Sequence, residues 1–140
     1  MKVLLVNGSP HKEGCTYTAL TEVAGALNKE GISTEIFWLG SKPLSGCLAC
    51  KTCAEKKMCV FDDKVNEFVD LAKDVDGFVF GSPVHYAAAS GAITSFLDRV
   101  FYSDSQAGRQ SFYLKPAAAA VSARRAGTTA ALDQISKYFT

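Results

Sequence analysis

The feature that most constrains this fold is a repeated alternation of short apolar segments with amphipathic helical segments. The first apolar run, residues 3–6, stops at Asn7-Gly8, which is typical of a strand that is buried on both faces. The next segment carries apolar residues at the spacing of one helix face, namely Leu20, Val23, Ala24 and Leu27. Residues 33–39 then predict a second strand, because they are rich in β-branched and aromatic side chains.

The second half of the chain repeats the alternation. Asp62 and Asp63 can cap a helix whose apolar face consists of Val65, Phe68, Val69 and Ala72. Residues 77–80 predict a third strand that ends at 81–83, and residues 116–121 predict a fourth that ends at Ser122. Two further helices are predicted from apolar positions at Ile93, Phe96, Leu97 and Val100, and at Leu132, Ile135 and Phe139.

Four strand–helix repeats predict an α/β fold with a doubly wound parallel sheet in a three-layer arrangement. The length of 140 residues predicts one domain, residues 1–140. In such sheets, ligands bind beyond the carboxyl ends of the strands. We therefore expect function in the segments that follow the strands, which are residues 7–18, 40–61, 81–91 and 122–128.

Charge and hydropathy bear on the class of partner. The net charge of +1 gives no indication of a nucleic-acid or anionic-membrane partner. The apolar run at residues 3–6 is too short for a signal peptide or a membrane span. We therefore expect a cytoplasmic protein with reduced thiols, no nucleic-acid partner and no membrane partner.

The loop after the first strand, residues 7–18, has the features of a phosphate-binding loop. Gly8 and Gly14 allow the backbone to approach a ligand, and the following helix supplies free N–H groups and a positive dipole. Hydroxyl donors come from Ser9, Thr16 and Thr18. The loop matches neither G-x-x-x-x-G-K-S/T nor G-x-G-x-x-G, which disfavours ATP chemistry and Rossmann-type dinucleotide binding. A plain helix cap and turn is the alternative.

The loop after the third strand suits a planar ring. Pro83, Val84, His85 and Tyr86 offer apolar and flat surface, and the small residues 87–91 allow a wide ligand to lie close to the chain. His85 is a candidate proton donor or ring contact, and an ordinary surface histidine is the alternative.

Two adjacent arginines, Arg124 and Arg125, follow the fourth strand. Their place at a carboxyl strand end suits a cofactor phosphate or an anionic substrate such as a nicotinamide dinucleotide. A solvated pair of charges beside a helix cap is the alternative.

Four of the five cysteines lie within thirteen residues, in the order C-x2-C-x2-C-x5-C. They are Cys47, Cys50, Cys53 and Cys59. Reduced cysteines at this spacing indicate metal or redox chemistry more than disulfides. An iron–sulfur cluster, structural zinc and free or oxidised thiols all stay open.

Four stretches together resemble a known family: GSPHKEGCTYTAL, GCLACKTC, GSPVHYAAASGAITSFLDRVFY and SARRAGTT. They are similar to the flavodoxin-like NAD(P)H-dependent FMN reductases, and among these to the iron–sulfur flavoproteins. The resemblance runs over residues 1–140. It implies bound FMN, NAD(P)H as co-substrate and a homodimer or homotetramer. It also implies electron delivery to a quinone, a free flavin or a redox protein.

The resemblance also implies site residues. Those for FMN are Ser9, Cys15, Thr16, Tyr17 and Thr18 in the first loop, Pro83, Val84, His85, Tyr86 and Ala87 along the ring, and Ser122, Arg124 and Gly127 in a third loop. Those for a 4Fe–4S cluster are Cys47, Cys50, Cys53 and Cys59. No catalytic side chain is expected, because the flavin carries the chemistry.

The chain departs from the family pattern at its end. Members of the family have a fifth strand and a further helix, which this sequence lacks after Thr140. Either an edge strand is missing or the chain is a fragment, and a bare fourth strand would expose an edge unless another subunit covers it. Two other functions stay open, a pure electron carrier that never meets NAD(P)H and a zinc-stapled binding module without flavin.

Overall fold

A computed structural model describes residues 1–139, and within them four parallel strands alternate with five α-helices. The strands are β1 (Lys2–Asn7), β2 (Ser33–Trp38), β3 (Gly77–Pro83) and β4 (Ala117–Ser122). The helices are α1 (Cys15–Lys29), α2 (Thr52–Lys56), α3 (Lys64–Leu71), α4 (Gly91–Gln106) and α5 (Thr128–Ser136), with a 3₁₀ helix at Ala72–Asp74. The strand order is β2-β1-β3-β4.

Helices cover both faces of this sheet. The central strand β1 is apolar throughout its middle because its side chains point alternately to the two faces, and both are buried. On one face, α1 packs Leu20 and Ala24 against Val3, Leu5 and Val79. The opposite face carries the larger core, built with α3, α4 and α5. The doubly wound, three-layer α/β fold is therefore confirmed.

The larger core is mostly aromatic. Phe68 of α3 lies at its centre, with ring centroids 5.0 Å from Phe96 and 5.4 Å from Phe37. Phe78 and Phe80 of β3 stack at 6.0 Å below it. This core fixes α3 and α4 against the sheet, and the loops that precede these helices are thereby held in place.

The alanine-rich segment does form the fourth strand. Residues 117–122 pair in parallel with β3, from Phe78 opposite Ala117 to Pro83 opposite Ser122. Because alanine has a weak preference for strands, packing determines this element, with Ala119 on the larger core and Ala120 on the α1 side.

The short helix α2 was not predicted, since residues 40–61 show no apolar period. Five residues make little more than one turn, too short for such a period to be visible. Lys51 and Lys57 flank α2 with left-handed backbone, at φ 60° and 59°.

Phe139 lies beyond the end of α5 and still packs on the larger core. Among the helices in residues 1–139, none combines the length and apolar character that crossing a bilayer requires.

Candidate functional site

A cavity of about 390 Å³ opens where β1, β3 and β4 end. Its lining comes from three loops that lie far apart in sequence, and the residues are Ser9, His11, Gly14, Cys15, Thr16, Pro83, His85, Ser122, Ala123 and Arg124. Within this described lining there is Arg124 but no carboxylate, so the cavity favours an anionic ligand.

Two other depressions are larger. One, about 560 Å³, lies beside β4 and is lined largely by aromatic side chains, and the other, about 790 Å³, lies between the end of β2 and α3. Neither lies at the carboxyl ends of β1 and β3, where ligands of parallel α/β sheets bind. Position and lining therefore favour the 390 Å³ cavity as the candidate site.

The buried side chain of Asn7 shapes the loop between β1 and α1. Its Oδ1 accepts from the backbone N–H of Ser9 at 3.0 Å, and its Nδ2 donates to the carbonyl of Lys12 at 3.0 Å. Trp38 at the end of β2 donates through Nε1 to the carbonyl of Ser9 at 2.9 Å. Sequence reasoning did not single out Asn7, and a polar residue directly after the apolar run at residues 3–6 was the signal for it.

The N-terminus of α1 leaves backbone N–H groups free at the end of the same loop. Its N-cap residue is Gly14, and the structure records no side-chain cap there. By contrast, α3 is capped by Asp63 and α4 by Ser90, each accepting from a first-turn N–H. The first backbone N–H groups of α1 have no intrahelical partner and are therefore left for a ligand.

Two hydroxyl groups join the first and third loops. The Oγ1 atom of Thr16 lies 2.9 Å from the Oγ atom of Ser122, and either can donate. Thr16 is buried, whereas Cys15 beside it is exposed. This contact places the start of α1 against the end of β4.

The loop after β3 folds back on itself. Val84 forms an isolated antiparallel bridge with Ala89, and its N–H donates to the carbonyl of Ser122 at 2.8 Å. Ala87 has left-handed backbone at φ 56°, and Tyr86 is 97% exposed. A non-glycine residue with such backbone costs about 1–3 kcal/mol, and residues of this kind cluster at active sites and ligand clamps.

Gly127 fastens this loop to the start of α5. Its φ is +98°, and a Cβ at this position would lie 2.6 Å from the Cα of Ala87 and 2.9 Å from Val84. Only glycine fits such backbone and such a close approach. Gly127 thus lies against the loop after β3 and does not line the cavity.

The structure brings together about half of the residues predicted for FMN. Those on the cavity lining are Ser9, Cys15, Thr16, Pro83, His85, Ser122 and Arg124. Those outside the lining are Tyr17, Thr18, Val84, Tyr86, Ala87 and Gly127. His11, Gly14 and Ala123 line the cavity but were not predicted to bind FMN; Gly14 and Ala123 directly neighbour predicted residues, and His11 lies two positions from Ser9. Each predicted role remains a prediction.

The four clustered cysteines surround a second, separate cavity of about 20 Å³. Cys53 is buried, Cys59 is half-buried, and Cys47 and Cys50 are exposed. The other residues that line this small cavity include Arg99 and Tyr102 of α4. Arg99 and Tyr102 lie about two to three turns along α4 from its start, and neither residue lines the 390 Å³ cavity.

The environment of these thiols shifts two of their pKa values. Burial raises the pKa of Cys53, and the neighbouring Cys50, Cys59 and Cys47 raise it further. Hydrogen bonds from the side chain and backbone of Thr52 lower the pKa of Cys50. Within residues 1–139 the structure shows no group of three or more acidic, histidine or cysteine side chains that could hold a metal ion.

Arg99 is the most unusual side chain in this region, since it is 1% exposed. Its guanidinium binds both carboxylate oxygens of Asp63, at 2.7 and 2.9 Å, and donates to the Sγ of Cys59 at 3.2 and 3.3 Å. Burial opposes the charge, but the bonds to Asp63 and Cys59 outweigh it and raise the pKa of Arg99. Sequence reasoning missed Arg99, although a lone arginine amid the apolar positions of α4 was visible.

The model of a family described as NADPH-dependent FMN reductase matches residues 1–140. The chain belongs to the NADPH-dependent FMN reductase family. The resemblance found in the sequence is thereby confirmed, and membership places the chain among oxidoreductases that use flavin.

Individual relatives refine this membership. An iron–sulfur flavoprotein of Methanocaldococcus jannaschii is 34% identical over 99% of this chain and 72% of its own length. Another, of Archaeoglobus fulgidus, is 31% identical, with 71% of this chain covering 46% of that protein. This chain therefore spans less than half the length of the second relative.

Solved structures support the fold. The flavoenzyme FerB of Paracoccus denitrificans, an NAD(P)H:(acceptor) oxidoreductase, superposes with a TM-score of 0.69 at 18% identity, over 97% of this chain and 69% of FerB. At this identity the likeness shows the fold alone, and it confirms the flavodoxin-like α/β architecture.

Proposed function

We propose that this chain binds FMN noncovalently, takes electrons from NAD(P)H and passes them to an acceptor such as a quinone, a free flavin or a protein. We further propose that Cys47, Cys50, Cys53 and Cys59 hold a 4Fe–4S cluster that takes part in this transfer. The observation that carries the flavin proposal is the convergence of three strand-end loops on one cavity without acidic lining residues.

The chain's own groups fit a flavin phosphate at the start of α1. The uncapped N–H groups of its first turn and the hydroxyl of Ser9 are oriented by a loop that Asn7 and Trp38 hold rigid. Backbone donors of this kind bind phosphate without a lysine. A dianionic phosphate would thus replace the missing helix cap.

The ring loop, residues 83–87, fits the flat part of the cofactor. Its small residues and its exposed backbone allow close approach, and Gly127 and the Val84–Ala89 bridge hold its shape. Bound FMN supplies hydride acceptance and the release of single electrons. The protein's task is to orient the ring and keep one face open to the nicotinamide.

Arg124 is the proposed contact for the nicotinamide nucleotide. It lines the cavity and is exposed, so its guanidinium can meet an incoming phosphate in a bidentate manner. Its neighbour Arg125 does not line the cavity. The pair therefore offers a test residue and a matched control on the same loop.

The four thiols of the cysteine loop are the type of ligand that an iron–sulfur cluster requires. Four free thiols line one cavity, and the N–H of Ala49 donates to the Sγ of Cys47 at 3.4 Å. Left-handed backbone at Ala49, Lys51 and Lys57 lets the chain turn tightly around the cavity. A volume of about 20 Å³ holds about one water, so binding of a cluster would require the cysteine loop to rearrange.

Three finer points belong to the same proposal. A homodimer or homotetramer would cover the free edge of β4, which pairs only with β3 among the described residues. Reduced thiols suit the cytoplasm, which we propose as the compartment. A redox protein is a further candidate acceptor.

The first experiment is an anaerobic visible spectrum of the purified protein, with iron, zinc and acid-labile sulfide assayed on the same sample. Flavin bands over a broad brown shoulder, with about four iron and four sulfide per chain, would support both proposals. Flavin bands without iron would support the reductase and overturn the cluster. A protein that stays colourless after addition of FMN, or that contains zinc alone, would overturn the flavin proposal.

The second experiment distinguishes a reductase from an electron carrier. NADPH or NADH is added anaerobically to the FMN-loaded protein, and the flavin absorbance is followed. A reductase loses its flavin absorbance within seconds to minutes. A carrier stays oxidised with both nucleotides but loses its absorbance with dithionite, and that result would overturn the NAD(P)H step alone.

A further inference from the structure

The guanidinium of Arg99 connects three segments around the cysteine cavity. Its Nη1 and Nη2 atoms form a bidentate ion pair with Asp63, the N-cap residue of α3. Nε and Nη2 donate to the sulfur of Cys59, and Nη1 donates to the carbonyl of Ser45 at 3.4 Å. The ring of Phe61 covers the group at 4.6 Å.

The ion pair alone does not account for this arrangement. Asp63 already occupies one edge of the guanidinium, and a buried ion pair by itself adds little stability. The remaining donors, Nε and Nη2, converge on one cysteine sulfur, although a carbonyl is the commoner and stronger acceptor. Two N–H groups of a buried guanidinium are therefore directed at the sulfur of Cys59, which indicates that this sulfur carries negative charge when the site is in use.

Cys59 is held through its backbone as well as through its sulfur. Asn66 of α3 accepts from its N–H at 2.9 Å and donates to its carbonyl at 3.0 Å. Its backbone is thus held by α3 and its sulfur by α4, whereas Cys47 and Cys50 are exposed. Cys59 is a fixed point from which the other ligands can close.

We propose that Arg99 is a positioning residue for the cysteine-bound cluster, which orients the Cys59 sulfur and raises the reduction potential of the cluster. This inference rests on the cluster part of the proposed function. Hydrogen bonds to a ligating sulfur stabilise the more negative, reduced cluster and so raise its potential. Asp63 acts in the opposite sense, because its carboxylate neutralises part of the arginine charge.

Three variants separate these contributions by sign. Arg99→Lys keeps the charge but loses the planar fork, so it cannot serve both Asp63 and Cys59, and the potential should fall. Arg99→Gln also removes the charge, and the potential should fall further. Asp63→Asn should raise the potential, and because asparagine is a good N-cap it preserves the start of α3.

Arg109→Lys is the matched control. Arg109 donates to the carbonyl of Lys57, in the same loop, and contacts no cysteine sulfur. The Arg109→Lys variant should leave the reduction potential of the cluster unchanged. The flavin potential serves as an internal reference, because Arg99 does not line the flavin cavity.

The experiment is an anaerobic redox titration of each iron- and sulfide-reconstituted, FMN-loaded variant, followed by electron paramagnetic resonance and visible absorbance. Lower cluster potentials for both Arg99 variants and a higher one for Asp63→Asn, with the flavin potential constant, would support the proposal. Should Arg99→Gln fail to fold, Arg99→Lys and Asp63→Asn still give opposite signs.

Two results would overturn it, and they are distinguishable. A wild-type protein that binds no iron and sulfide overturns the cluster and this role together. A wild-type protein that binds the cluster, with Arg99→Lys, Asp63→Asn and Arg109→Lys all at the wild-type potential, overturns the role of Arg99 alone and leaves the cluster in place.

Discussion

The hydroxyl groups of Thr16 and Ser122, 106 residues apart in the chain, lie 2.9 Å from each other. One belongs to the first turn of α1 and the other ends β4. Both line the 390 Å³ cavity, so this contact joins the loop that precedes α1 to the loop that follows β4.

We expect Thr16→Val to weaken FMN binding about fivefold, measured by quenching of flavin fluorescence. The substitution keeps the shape of the side chain but removes the hydroxyl bond to Ser122, which is worth about 1 kcal/mol. The control is Thr21→Val, because Thr21 donates only to the carbonyl of Tyr17 on the exposed side of α1. Equal effects of the two variants would contradict a specific role for the Thr16–Ser122 contact.

Gly127→Ala should destabilise the fold by about 2 kcal/mol or more, measured by urea unfolding. The new Cβ would lie 2.6 Å from the Cα of Ala87, and the backbone at φ +98° is strained for any other residue. Gly25→Ala in α1 is the matched control, since nothing lies within 4 Å of that position. It should be neutral or stabilising by up to about 1 kcal/mol, because alanine favours helix. A stable Gly127→Ala protein would show that the ring loop can move away.

Arg124→Ala should raise the KM for NADPH about tenfold, whereas Arg125→Ala should change it less than about twofold. A lost bidentate contact with a phosphate is worth roughly 1.4 kcal/mol or more, a factor of ten. Steady-state kinetics with saturating acceptor measures this. A change in FMN affinity without a change in KM would instead assign Arg124 to the flavin, and equal effects at both arginines would contradict a specific contact.

Tyr138 should make stability depend on pH in the alkaline range. Burial and the hydrogen bond to Asp98, 2.5 Å from its hydroxyl, raise the pKa of Tyr138 well above its ordinary value of 10.0. Below the ordinary value of 10.0, the folded and the unfolded chain both keep the phenol proton, and the hydrogen bond of Tyr138 makes its full contribution to the free energy of unfolding. As the pH rises further, the unfolded chain loses the proton first, so the free energy of unfolding falls.

The test compares urea unfolding of the wild type and Tyr138→Phe at about pH 9 and about pH 11. The phenylalanine variant should be less stable at the lower pH by about 1 kcal/mol, having lost one hydrogen bond, and should lose less stability between the two pH values. Tyr113→Phe, at a 67% exposed position, should match the wild type. Parallel pH profiles for wild type and Tyr138→Phe would contradict the predicted linkage.

The architecture could be predicted from the sequence because local patterns control it. Apolar runs such as residues 3–6 have no solvated face, and this requires helices on both sides of the sheet. The cap at Asp63 and the loops at the strand ends are likewise written in neighbouring residues. The placement of the candidate cavity follows from this topology, since parallel strands end at the same edge.

The tertiary structure alone determined which groups meet. The sequence pointed to Thr16, Ser122 and Cys59 as site residues but gave no sign that Thr16 meets Ser122 or that Arg99 meets Cys59, because these contacts arise from the packing of distant elements. The five residues of α2 are too few to show a period, so their helix depends on the loop that surrounds them. A pattern of apolar residues determines which faces are buried, because burial acts over a whole surface. Hydrogen bonds depend on distance and angle, which exist only once the chain has folded.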